Sequence, residues 1–342
     1  MNETVLVTGG SGYVAGWCVA DLLSRGYEVR TTVRGAAKEQ AVRDAAGREA
    51  GGREAGGRLS FAVADLTSDE GWDEAVAGCD YVLHVASPLG SPDPKDPDAL
   101  ISPARDGALR VLRAATAANV KRVVMTSACA AATPPLKSPD SVSDETRWTD
   151  LDDPTLVGYR RSKAVAERAA WRFMDDHHGP TTFATVLPGA VFGPVRSAST
   201  AGSVEVIGRL LTGRMPGTPR IGFEIVDVRD IADLHIRAMT SPAAAGQRFI
   251  GAGRFLWMGE MAAVLRSRLG ESARKVPTRT IPAVAIRALA PFDPGLRALA
   301  PYLGHRHVHS AQKALRLLDW QPRAAADTLV DCAESLRAYG LA

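Results

Sequence analysis

The most restrictive feature of this chain lies at its start. Residues 4–8 (TVLVT) form a short β-branched run that passes directly into Thr8-Gly9-Gly10-Ser11-Gly12-Tyr13-Val14-Ala15-Gly16, and then into a helical pattern over 13–24. Glycines between a strand and a helix permit a tight turn. They also let backbone N–H groups approach an anion at the helix N-terminus, where the macrodipole favours negative charge. The spacing T-G-x-x-G-x-x-A puts Ala15 where a third glycine is common, and alanine is small enough for close helix–strand packing. In this strand–turn–helix setting the loop predicts a dinucleotide pyrophosphate site built on Gly9, Gly12, Tyr13 and Val14.

The same alternation continues. Residues 28–33 (EVRTTV), 59–64, 81–85, 122–127 and 182–187 read as short strands, nearly continuous in apolar character. Strands of that kind are covered on both faces, as in parallel sheets. Helical patterns fall between them at 36–46, 69–76, 98–118 and 158–176. The expected fold is therefore α/β, a Rossmann-type doubly wound parallel sheet. Residues 1–190 are expected to form the dinucleotide-binding domain. Residues 220–250 are expected to return to its sheet through a strand at 224–227 and a helix at 230–239. Residues 191–219 and 251–342 are assigned to a smaller C-terminal substrate lobe. A tandem repeat at 47–58 (GREAGGREAGGR) breaks the rhythm and reads as a flexible surface insertion.

Composition excludes several classes. Lys and Arg number 41 and Asp and Glu 38, a net charge of +3 over 342 residues, too balanced to imply nucleic acid. No run reaches the ~18 apolar residues of a membrane span. Four cysteines, Cys18, Cys79, Cys129 and Cys332, contain no C-x-x-C pair. That argues against a disulfide scaffold or a zinc site and fits a reducing compartment. The N-terminus carries no basic leader, so no signal peptide is expected and the expected location is cytoplasmic.

The second strand ends at Arg34, where an NAD site normally presents an acidic residue to the ribose 2′-hydroxyl. A guanidinium there can fork onto a 2′-phosphate, and Lys38 adds positive charge nearby, so NADP(H) is the expected cofactor. Asp65 and Leu66 follow the third strand, which places a carboxylate and an apolar side chain near the adenine. Asp65 also suits a capping role.

Tyr159 and Lys163 stand four apart within a helical pattern and so share a face. An adjacent ammonium is expected to lower the phenol's pKa from about 10, making Tyr159 a general acid for a nascent alkoxide.

These motifs carry a resemblance. VTGGSGYVAGW, TTVR, VADLTSDEGW, YVLHVASP, RVVMTSA, YRRSKAVAERAAW, VLPGAVFGP and VDVRDIADLH run through nearly the whole chain. The chain resembles an extended short-chain dehydrogenase/reductase, and within that superfamily it is similar to the dihydroflavonol reductase and cinnamoyl-CoA reductase group. The resemblance implies that Tyr159 is the acid/base and that Lys163 holds the nicotinamide ribose. It also implies that Val85, Ala86, Ser87, Thr126, Pro188, Gly189, Ala190 and Val191 line the cofactor. The implied reaction is NADPH-dependent reduction of a small hydrophobic or aromatic carbonyl compound by a monomer or homodimer.

One departure stands out. The family usually ends its fifth strand with two consecutive hydroxyl residues after the threonine, the second being the catalytic serine. This chain has Thr126-Ser127-Ala128-Cys129, without a hydroxyl at Ala128. Strand alternation turns Ser127 to the opposite face unless the strand end is distorted. Ser127 is nonetheless taken as the candidate, with Thr126 or a water as alternatives. Among other features, His305, His307 and His309 alternate but have no acidic or Cys neighbour in sequence, so no metal is expected. A nucleotide-sugar epimerase or dehydratase is a weaker reading, because LPGAVFGP lacks the asparagine usual in such relatives. A non-catalytic NADP-binding redox regulator is the other, with the missing hydroxyl as its support.

Overall fold

Alternate residues of the central strands face two different helical layers, and this decides the architecture. Val5 and Val7 join a core with Val124, Ala184 and Val186, whereas Leu6 joins another with Val82, Val123 and Met125. Both faces are apolar and covered, which explains the unbroken apolar runs in the sequence.

A computed structural model describes residues 3–47, 57–88, 96, 99–198 and 202–342. Most of the repeat at 47–58 lies outside the described residues. In chain order the strands are β1 (Thr4–Val7), β2 (Glu28–Val33), β3 (Leu59–Val63), β4 (Tyr81–His84), β5 (Arg122–Thr126), β6 (Ser141–Ser143) and β7 (Thr182–Pro188). Then follow β8 (Ala190–Phe192), β9 (Thr218–Pro219), β10 (Gly222–Asp227), β11 (Gln247–Gly251), β12 (Phe255–Trp257), β13 (Thr280–Ile281) and β14 (His307–His309). The main sheet has seven strands in the order β11-β7-β5-β4-β1-β2-β3. Every pairing in it is parallel.

Helices Tyr13–Ser24 and Val228–Thr240 cover one face of this sheet. Trp72–Val76, Ile101–Ala117 and Gly158–Asp175 cover the other. The first strand is flanked by β2 and β4, so the chain's winding reverses beside it. Open α/β sheets bind ligands in the crevice at such a switch point, outside the strands' carboxyl ends.

The return of residues 220–250 to the sheet is only half realised. The helix Val228–Thr240 does pack on it, but β10 does not enter it. Instead β10 pairs parallel with β8 and antiparallel with β12, forming a separate three-stranded sheet. The strand that extends the main sheet is β11, in parallel register with β7. Six apolar-rich residues cannot reveal which edge they will join, and the turn at Gly193 carries the chain away first. Trp320, near the chain's C-terminal end, also joins the main sheet's core. It is 1% exposed, packs in the main core, and donates from Nε1 to Asp230 O at 2.8 Å.

Candidate active site

The glycine turn is held from three sides. Gly9 N donates to Thr32 Oγ1 at 2.8 Å, Gly10 N to Thr32 O at 3.1 Å, and Gly12 N to Gly9 O at 2.8 Å. Gly9 has φ +74°, and a Cβ there would lie 2.9 Å from Ala86 Cβ. Only glycine fits both conditions. Thr8 Oγ1 accepts from Ala86 N at 2.9 Å and lies 3.0 Å from His84 Nδ1. Burial pushes His84 down to about 3, so its ring is neutral. Gly12 caps the helix Tyr13–Ser24, and Tyr13 ties that helix to the second lobe by donating to Gly193 O at 2.8 Å.

A cavity of about 970 Å³ runs along the carboxyl edge of the sheet. Its lining includes Gly9, Gly12, Tyr13, Val14, Arg34, Asp65 and Leu66, and then Val85, Ala86 and Ser87. Thr126, Tyr159, Lys163, Pro188, Gly189, Ala190 and Val191 also contribute. Residues spread over more than half the chain thus meet in one cleft. Lys38 is not among them. It ends an exposed 3-10 turn, Ala36–Lys38, outside the lining. Asp65 lines the cavity and closes a local turn. Its Oδ1 accepts from Thr67 N at 2.8 Å and Thr67 Oγ1 at 2.7 Å, bonds that hold its carboxyl below the ordinary range, with Arg34 adding a smaller effect.

Tyr159 and Lys163 share a face of the helix Gly158–Asp175, but the ammonium does not do what was expected of it. Lys163 Nζ donates to Thr126 O at 2.9 Å and stands 6.0 Å from the Tyr159 ring centroid. Burial brings Lys163 down to about 8, opposed by Glu167. The phenol is pushed up, not down, to about 12, because the surrounding protein desolvates it, with the Cys129 thiol adding to the effect. The ring still opens onto the cavity, with Tyr159 38% exposed.

Ser127 lines the cavity, but its hydroxyl is engaged within the protein, donating to Glu167 Oε2 at 2.6 Å. Glu167 is fully buried and also accepts from Thr185 Oγ1 at 2.8 Å and Arg248 Nε at 2.9 Å. Strand alternation explains this. Ser127 shares the parity of Val123 and Met125, which face the layer containing the helix Gly158–Asp175. Thr126 shares the parity of Val124 and faces the helix Val228–Thr240, where its Oγ1 lies 2.7 Å from His235 Nε2. Burial takes His235 down to about 4, and its Nδ1 donates to Ile231 O, so Nε2 accepts the threonine proton. Both hydroxyls are engaged. Ala128 lines the cavity without one.

Sequence reasoning missed the residues that close the far end. Leu136, Ile221, Phe223, Phe255, Leu299 and Tyr302 supply an apolar and aromatic wall, and Thr133, Glu224, His305, His307 and His309 supply polar atoms. The alternating histidines were the one available signal. The acidic partner that seemed missing is Glu224, brought from β10 to within 2.5 Å of His309 Nδ1.

A parallel sheet with a glycine turn at its switch point, and a Tyr/Lys pair over the same cleft, defines a dinucleotide-binding protein of the extended short-chain dehydrogenase/reductase type. The chain belongs to the NAD dependent epimerase/dehydratase family, whose model matches residues 5–251. It is 37% identical over 269 residues to cinnamoyl-CoA reductase 1 of Arabidopsis thaliana, covering 77% of this chain and 74% of that protein. It is 33% identical over 294 residues to an anthocyanidin reductase of Vitis vinifera, covering 81% and 83%. Its fold is similar to that of Gre2 in complex with NADPH from Candida albicans, with TM-score 0.80, 25% identity, and coverage of 98% and 99% of the two chains. The dihydroflavonol reductase and cinnamoyl-CoA reductase group is therefore its place within the family.

Proposed function

We propose that the protein is an NADPH-dependent carbonyl reductase that converts an aldehyde or ketone into an alcohol. The observation that carries this reading is the Tyr159 phenol opening onto the same cleft as Lys163 and the glycine turn. The residues suit the dinucleotide. Gly9 leaves room where any side chain would collide, Gly12 and Tyr13 open a helix toward the cleft, and Arg34 is exposed at its rim.

NADPH, when bound, supplies the hydride for the carbonyl carbon. Tyr159 gives its phenolic proton to the carbonyl oxygen as negative charge develops there. Lys163 is fixed by Thr126 O and sets a positive charge on the floor of the site. Arg34 reads the 2′-phosphate, with Asp65 beside it. The wall formed by Leu136, Ile221, Phe223, Phe255 and Tyr302 suits a hydrophobic or aromatic substrate.

Among the described residues no helix is long and apolar enough to cross a membrane. The four cysteines are free and buried, which agrees with a reducing compartment, and we place the protein in the cytoplasm.

The test is NADPH and NADH oxidation, side by side, over a panel of aldehydes, β-ketoesters and aromatic ketones, with wild type and Tyr159→Phe. Reduction that depends on the phenol is expected. NADPH binding without turnover on any member would overturn the reading in favour of a non-catalytic regulator.

A further inference from the structure

We propose that Arg160, next to Tyr159 on the helix Gly158–Asp175, binds a carboxylate of the substrate, so that the preferred substrates are oxo acids, aldehydes or ketones that also carry a carboxylate. The inference rests on the carbonyl-reductase reading and names the substrate class within it.

The charges lining the cleft single out Arg160. Its described lining holds three Lys or Arg side chains, Arg34, Arg160 and Lys163, and two carboxylates, Asp65 and Glu224. Asp65 accepts from Thr67 and feels Arg34. Glu224 accepts from His309 N at 2.6 Å and from His309 Nδ1 at 2.5 Å. Lys163 donates to Thr126 O and has Glu167 close enough to oppose the effect of its burial. Arg160 has no such partner. Among the described residues its guanidinium makes no ion pair and no hydrogen bond, and its Cζ stands 5.6 Å from the centroid of the Tyr302 ring.

Its surroundings belong to the substrate end. Tyr302 is part of the aromatic wall, and its hydroxyl likewise makes no hydrogen bond among the described residues. His307, in the same lining, is lowered from its ordinary pKa chiefly by burial, with the positive charge of Arg160 among the smaller causes. The guanidinium is half-buried, and a cation partly removed from water is best offset by an anion that accepts its hydrogen bonds. Its planar fork matches a carboxylate, and one uncompensated positive charge suits that group's single negative one. Consecutive Cα atoms lie about 3.8 Å apart, so a phenol and a guanidinium that both face the cleft can engage two ends of one small molecule. The apolar wall then packs the body between the carbonyl and the carboxylate.

The test uses matched pairs that differ only in charge, each oxo acid against its methyl ester: 4-formylbenzoate, 4-acetylbenzoate and 4-oxobutanoate. Wild type is expected to favour the acid roughly ten- to a hundredfold in kcat/KM, the scale of one charge-assisted contact, and chiefly through a lower KM. Arg160→Met keeps most of the length and removes the charge. The acid's advantage should vanish in it, by a rise in the acid's KM with little change in kcat, as for a contact made equally in ground and transition states. Arg160→Lys should keep part of the preference, and Arg160→Glu should invert it. Added salt should narrow the wild-type preference. NADPH affinity, read by fluorescence titration, should be the same in every variant, which separates lost substrate recognition from lost folding.

Two results would overturn the assignment while leaving the reductase reading intact. One is wild-type activity that is equal for acids and esters, or confined to neutral carbonyl compounds, which would make Arg160 a solvated cation at the rim. The other is a preference for acids that persists in Arg160→Met, which would place the carboxylate on a different group. Inactivity of the wild type toward acids, esters and every neutral aldehyde and ketone would instead remove the reductase reading, and this inference with it.

Discussion

The Ser127 hydroxyl donates to Glu167 Oε2 across 2.6 Å inside the protein, and this turns the one hydroxyl at the expected strand end into a structural group. Glu167 gathers Ser127, Thr185 and Arg248, so helix Gly158–Asp175 is locked to β5, β7 and β11 behind Tyr159 and Lys163. The charge on Arg248 is further spread over Glu145 O and Arg147 O. Removing any one partner leaves a buried polar atom short of a bond.

Ser127→Ala should therefore lower stability and spare chemistry. Loss of one donor to a buried carboxylate is expected to cost about 1–3 kcal/mol, read from the denaturant midpoint. The kcat of the folded fraction should stay close to wild type. A large fall in kcat with unchanged stability would mean that Ser127 turns toward the substrate after all.

Arg34→Ala should separate the two cofactors. A charge-assisted contact to the 2′-phosphate is worth roughly 1.5–3 kcal/mol, so NADPH affinity should fall about ten- to a hundredfold while NADH is nearly unaffected. Parallel titrations of both cofactors check this, and equal losses would assign Arg34 to shaping the loop.

Lys163 predicts a pH dependence for the cofactor-free protein. Its folded pKa of about 8 lies below the unfolded value of about 10.4, so between these limits the unfolded chain binds more protons. The destabilisation from burying the ammonium is complete below about pH 8 and is relieved as pH rises toward about 10. Melting temperatures of wild type and Lys163→Met, compared from neutral to alkaline pH, should show the wild type gaining on the variant over that window. A difference independent of pH would contradict the burial of this charge.

Gly9→Ala should abolish dinucleotide binding before it abolishes folding. The added methyl would sit 2.9 Å from Ala86 Cβ in a backbone at φ +74°. A left-handed non-glycine residue costs roughly 1–2 kcal/mol, tolerable for a domain, whereas a shifted turn misdirects the helix N-terminus. Circular dichroism should remain native while NADPH no longer quenches tryptophan fluorescence.

Local sequence determined the parts of this protein whose physics is local. The glycine turn, the runs of β1, β2 and β5, and the four-residue step from Tyr159 to Lys163 each follow from neighbours within one element. The helices Tyr13–Ser24 and Gly158–Asp175 were legible for the same reason, to within a residue at each end. Even the orientation of Ser127 was implicit in strand alternation, although the demand for a catalytic hydroxyl argued the other way. What tertiary structure alone decided was which distant groups meet. Glu224 and His309 are 85 residues apart, and Thr133 and His309 are 176 apart. Nothing in GHRHVHS says that β14 will pair with β6 and carry His309 to the carboxylate of β10. Nor does the Tyr-Lys spacing give either pKa, because both depend on how much protein surrounds the charged form. Periodicity and turn chemistry are encoded by adjacent residues, whereas partners and burial are properties of the packed whole.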